Sequence, residues 1–166
     1  MDSNTCCQEL PDWRNQRSPF QRILSFGYYD GTTAGVAQCV GCSVAYKYDL
    51  LAWDEDQDMR IFGLAPLPSG SFSELLAASA VLGEPRWPTW VPVWQFSSET
   101  IQNKVESRIQ AVLNKAGPLT FVVATNDISN NFVAGKRITE TNVELVQGLI
   151  SKSVDVQEWL AFLGER

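Results

Sequence analysis

The chain contains no histidine. Nucleophile activation by a Ser-His-Asp or Cys-His pair, imidazole metal ligation and imidazole proton shuttling are therefore excluded, and any chemistry must use Cys, Asp, Glu, Lys or Tyr. Positive charge is scarce as well: 13 basic residues stand against 19 acidic ones, for a formal net charge of −6. Binding a nucleic-acid duplex needs clustered Lys and Arg to displace its counterions, so nucleic acid is not the expected partner and a basic or neutral protein is. Long apolar runs are missing too. No stretch approaches the roughly 20 residues of a membrane helix, and the segment from Met1 to Glu9 lacks the basic and apolar regions of a secretory signal, so no membrane association and a cytosolic location are expected.

What is present suits one packed domain, since 45% of 166 residues are hydrophobic. Residues 1–21 are polar, broken by Pro11 and Pro19, and read as a partly ordered N-terminal arm pinned by Trp13 and Phe20. Strand patterns then follow one another: Ile23 to Tyr29, Val36 to Cys39, the alternating stretch Val44 to Tyr48, and Met59 to Leu64, each separated by turn residues. Pro66 and Pro68 end this series, because proline cannot donate to a ladder. Ser71-Phe72-Ser73-Glu74 has the form of a capping box and predicts a helix to about Leu82. Pro85, Pro88 and Pro92 force the next stretch to be extended. Ser97 or Ser98 then caps a helix carrying Ile101, Val105, Ile109, Val112 and Leu113 on one face. Leu119 to Ala124 reads as a buried strand, Thr141-Asn142-Val143-Glu144 as a further helix cap, and Val156, Trp159, Leu160 and Leu163 as a last amphipathic helix. The fold class is α+β: an antiparallel β-meander over about 22–64, covered on one face by about four helices, with one further buried strand near 119–125. Residues 22–166 are expected to form a single domain, because the meander and the helices each need the other to bury their apolar faces.

Cys39-Val40-Gly41-Cys42 is the sharpest motif. A redox-active pair of this spacing sits at a helix start, where the dipole lowers the first thiol's pKa. Here the residues that follow alternate as a strand, which predicts a knuckle, the turn that presents two thiolates to a zinc ion. Ser43 stands where such knuckles commonly carry glycine. Cys39 and Cys42 are two ligands short of a tetrahedral site, and without histidine the candidates for completing it are Cys6 or Cys7, a carboxylate or a second chain. Adjacent cysteines are expected to have difficulty occupying two tetrahedral positions at once. Structural thiols in a tight turn and thiol redox chemistry are the other readings of the motif.

Three further groups stand out. Asp54, Glu55, Asp56 and Asp58 resemble the opening of a calcium loop, but the sixth and twelfth positions counted from Asp54 hold Met59 and Ala65 instead of glycine and glutamate. The run reads as a solvated strand connection or an acidic patch for a basic partner. Trp87, Trp90 and Trp94 lie on a proline-stiffened backbone, where they close the core or anchor a partner. Asp127, Asn130, Lys136 and Arg137 form a polar group past the buried strand, suited to a turn or to holding an anion. Together these observations point to a small acidic cytosolic protein, non-catalytic, that binds a protein partner through Trp87, Trp90, Trp94, Asp54, Glu55, Asp56 and Asp58. Immunity proteins that inhibit basic nucleases share this gross profile, an analogy of composition only. The alternative is a thiol-based redox or zinc-binding regulatory protein centred on Cys39 and Cys42, with zinc its implied cofactor.

Overall fold

The computed structural model describes residues 6–7, 12–28, 31–92 and 98–164. Eight strands make one curled sheet: β1 (Asp12–Gln16), β2 (Phe20–Tyr28), β3 (Thr32–Cys39), β4 (Ala45–Asp54), β5 (Met59–Pro66), β6 (Thr89–Trp90), β7 (Phe121–Thr125) and β8 (Phe132–Arg137). Their order across the sheet is β1-β8-β7-β5-β4-β3-β2-β6. Every pairing is antiparallel except that of β6, which lies parallel to β2. The helices are α1 (Ser71–Ser79), continued by a 3-10 turn over Ala80–Leu82, α2 (Glu99–Leu113), α3 (Val143–Ser151) and α4 (Val156–Phe162).

This is the α+β architecture the patterning predicts, with β2 to β5 as the meander and β7 as the further buried strand. Curling separates the sheet's two faces. The concave face closes on itself: Trp13, Phe20, Ile23, Ala37, Tyr46, Tyr48, Phe62, Leu64, Phe121, Val123 and Phe132 fill one core, following the two-residue period of the strands. The convex face is covered in two patches. Leu24, Val36 and Ala45 pack under α1 and α2, while Ile61, Val122, Ala124 and Ala134 pack under α3 and α4. All four helices thus lie on one face, as expected, and the other face is the inside of the curl.

Two strands were not anticipated. Within the N-terminal arm, β1 pairs with β8 in the register Trp13↔Gly135, and β8 itself occupies residues that read as loop. Two helix starts also differ from expectation. The first residue of α1 is Ser71, and its N-cap is Gly70 in the left-handed conformation with no side-chain cap bond, so the capping box does not form. Asn142 precedes α3 but accepts from the Thr139 amide at 2.8 Å, which fixes the incoming turn instead. Ser98 caps α2 as predicted, accepting from the Ile101 amide at 3.2 Å.

Candidate metal centre

The period of β3 decides where its cysteine points. Ala37 faces the concave core, so Cys39, two residues on, does too, and it is buried at the strand's end. The chain then reverses over residues 40–43: the Ser43 amide donates to the Cys39 carbonyl and the Cys39 amide to the Val44 carbonyl, both at 2.9 Å. Cys42 thereby returns to the same side as Cys39. Ser43 adopts φ 64°, the left-handed conformation that glycine takes without strain. The backbone of a knuckle is present although the glycine is not. Ser43→Gly is therefore expected to stabilise the protein by about 0.5–1 kcal/mol, a rise in Tm of about 1–4 °C by calorimetry.

The N-terminal segment supplies the other half. Cys6, Cys7, Cys39 and Cys42 bring their four Sγ atoms within 4.8 Å of one another. The Cys7 and Cys42 sulfurs are 3.6 Å apart. In a tetrahedral zinc site with Zn–S near 2.3 Å, neighbouring sulfurs lie about 3.8 Å apart, so the set needs to contract by no more than about 1 Å. Both members of the adjacent pair belong to this group of sulfurs. Neither cysteine lies in a strand, so successive side chains are not forced to opposite sides. Cys7 and Cys39 are buried, and Cys6 and Cys42 are half-buried.

Hydrogen bonds converge on these sulfurs. The Cys39 thiol is pulled well below the ordinary thiol range, first by the hydrogen bond from the Cys7 thiol and, against the effect of burial, by the Cys7, Cys42 and Gly41 amides. The Cys7 amide donates to Cys39 Sγ at 3.4 Å. Cys7 is pushed up because its proton is held between it and Cys39, and because it is buried. Cys42 is raised chiefly by burial, against the Val44 amide that points at it. The Tyr46 hydroxyl lies 3.3 Å from Cys7 Sγ, inside the same core, and burial pushes its own ionisation up. Amides and a neutral hydroxyl directed at sulfur are the partners that stabilise metal-bound thiolates.

Gly41 determines how closely the arm can approach. A Cβ at this position would meet Cys6 Cβ at 2.8 Å, Cys6 Cα at 3.0 Å and Cys6 Sγ at 3.3 Å. Its φ is not in the left-handed region, so alanine there is unstrained in itself and acts only by pushing Cys6 away. If the four thiols hold a metal, Gly41→Ala is expected to weaken its binding roughly 10–100-fold, the usual size of a change beside the ligands, while all four thiols remain. Competition against a chromogenic chelator measures it.

The other predicted residues do not converge here. Trp90 is only 4% exposed and fills the core under α1 and α2, so it takes the core-closing role and does not face outward. Trp94 lies outside the described residues. Trp87 is 37% exposed, its ring 5.5 Å from the Arg22 guanidinium and 6.0 Å from the Phe72 ring. Glu55, Asp56 and Asp58 are exposed in the β4–β5 turn, where the Asp54 carboxylate accepts the Asp56 and Gln57 amides and so closes the hairpin. Ten residues of β4, about 30 Å of strand, separate that turn from the knuckle. Asp127 accepts from the Ser129 amide and hydroxyl, while Lys136 donates to the Phe162 carbonyl and Arg137 lies over the Phe121 ring. That group is spent on local structure. Comparison with known proteins finds no matching family model, no similar curated protein and no similar solved structure.

Proposed function

We propose that the protein binds zinc through Cys6, Cys7, Cys39 and Cys42 and that the metal fastens the N-terminal arm to the β3–β4 knuckle. The observation that carries this reading is the approach of four sulfurs from two distant segments to within 4.8 Å of one another. Four thiolates favour a soft, tetrahedral metal, and zinc holds such a set without redox chemistry of its own. The set also fills all four positions, leaving none open for substrate, so the centre is structural and the protein non-catalytic at this site. Protein produced with zinc and purified under reducing conditions carries one zinc per chain, and cobalt in its place gives thiolate-to-cobalt charge transfer with tetrahedral visible bands. Protein that keeps no zinc and gives no cobalt bands refutes the reading.

Protein binding is a second reading, favoured by Trp87. It is a large ring left exposed and held in place by Arg22 and Phe72, and Trp and Arg are the residue types enriched at energetic centres of interfaces. Trp87→Ala should leave thermal stability nearly unchanged while abolishing co-purification of a stoichiometric partner. Equal recovery by both forms counts against it.

A further inference from the structure

The four sulfurs are not equally reachable. Cys42 is the least covered of the set and lines a groove of about 330 Å³ between the knuckle and the start of α1, bordered by Ser43, Gly70, Ser71 and Ser73. Cys39 lies at the opposite extreme, buried at the end of β3 inside the concave core and out of reach of a solute in that groove. Cys7 is also buried, but its sulfur stands 3.6 Å from that of Cys42.

Resting on the zinc reading above, we propose that the centre responds to hydroperoxides: Cys42 is oxidised first, Cys7 resolves it as a Cys7–Cys42 disulfide, and the metal is released. The Cys42 thiolate attacks one oxygen of hydrogen peroxide, the O–O bond breaks, and the sulfur becomes a sulfenic acid while the departing hydroxide takes up a proton as water. The Cys7 thiolate then attacks the Cys42 sulfur, the S–O bond breaks, and a second hydroxide is protonated to water. Two thiolates have supplied two electrons, one peroxide has become two waters, and zinc has lost two of its four ligands. Cys6 and Cys39 alone do not retain it.

Topology gives the choice of pair its consequence. A Cys39–Cys42 bond would close only the knuckle on itself and leave Cys6 and Cys7 without a tie to it once the metal departs, with β1 alone holding the arm. The Cys7–Cys42 bond joins residues 35 apart and ties arm to knuckle where zinc tied them before. Oxidation thus changes metal occupancy while keeping the arm in place, and a thiol reductant with zinc restores the starting state.

The test uses the full chain, reconstituted with zinc and titrated with hydrogen peroxide. Free zinc is followed with a chromogenic chelator, remaining thiols are blocked with N-ethylmaleimide, and bridged peptides are mapped by mass spectrometry. Release of one zinc per peroxide consumed, with Cys7–Cys42 as the dominant bridge and reversal by reductant plus zinc, supports the inference. In Cys7→Ser, peroxide leaves Cys42 as a sulfenic acid trapped by dimedone, which shows the order of the two steps. Zinc-loaded protein that keeps its metal, or that bridges Cys39 to Cys42, overturns this inference alone. Protein that takes up no zinc overturns the proposed function together with it.

Discussion

Stripping zinc with a strong chelator is expected to lower the Tm by about 8–16 °C. The size follows from linkage: a ligand held only by the folded chain, at a free concentration a thousandfold above its Kd, stabilises by about 4 kcal/mol, and each kcal/mol is worth about 2–4 °C in a chain of this length. Cys39→Ser is the matching substitution. The four thiolates of a structural zinc share an apparent binding free energy of about 10–16 kcal/mol, so losing one removes about a quarter of it, a weakening of roughly 10²–10³-fold. Calorimetric scans with and without chelator, alongside a zinc titration of the variant, check both numbers. A variant that melts between the loaded and the chelated wild type, and where the chelated wild type melts once chelator is added, places the whole effect at the metal. If chelation leaves the wild-type transition where it was, the cluster is a set of packed thiols and not a metal centre.

The two segments that meet at this centre differ in how far the sequence reveals them. β2 to β5 are legible because their inward residues recur at every second position and turns separate them. α2 and α4 are legible because apolar residues recur at helical spacing. The tight turn at Cys39–Cys42 is legible as well, since the residues that follow it alternate as a strand. By contrast, β1 reads Asp-Trp-Arg-Asn-Gln, where Trp13 is deeply buried and Arg14, Asn15 and Gln16 are exposed, and β8 offers Gly135 where an inward side chain would otherwise be. A period of two cannot be seen from one residue or from a glycine. What makes both strands is their partnership, Trp13 lying in the space that Gly135 leaves, and that is a property of the pair.

The same reason hid the complete cysteine cluster. Cys6 and Cys7 are separated from Cys39 by more than thirty residues, and nothing in that spacing shows that the arm folds back onto the knuckle. Gly41 carries the missing information, because its lack of a side chain is what admits Cys6. In the sequence it is indistinguishable from an ordinary turn glycine. The direction of Trp90 was hidden in a similar way: its extended backbone is legible from the prolines, but that it joins β2 as a parallel edge, and so turns its ring under α1 and α2, depends on the sheet.

Trp13 is where the arm's packing and the proposed metal's hold on it can be separated. Its ring is 1% exposed and packs 4.7 Å from the Phe121 ring and 5.3 Å from the Phe132 ring, with the flat face of Gly135 beneath. Truncating a buried aromatic of this kind costs about 3–5 kcal/mol, so Trp13→Ala is expected to lower the Tm by about 6–20 °C. Trp13→Phe keeps a ring in the same space and discards an indole N–H that finds no hydrogen-bond partner among the described residues, so most of the loss should be recovered. If β1 docks the arm and thereby presents Cys6 and Cys7 to the knuckle, Trp13→Ala also weakens zinc binding without touching a ligand. A double-mutant cycle with Cys7→Ser then shows the two changes to be less than additive, because an undocked arm has less to lose when its cysteine is removed. Strict additivity means instead that the metal and the strand hold the arm independently, and zinc affinity in Trp13→Ala then equals that of the wild type.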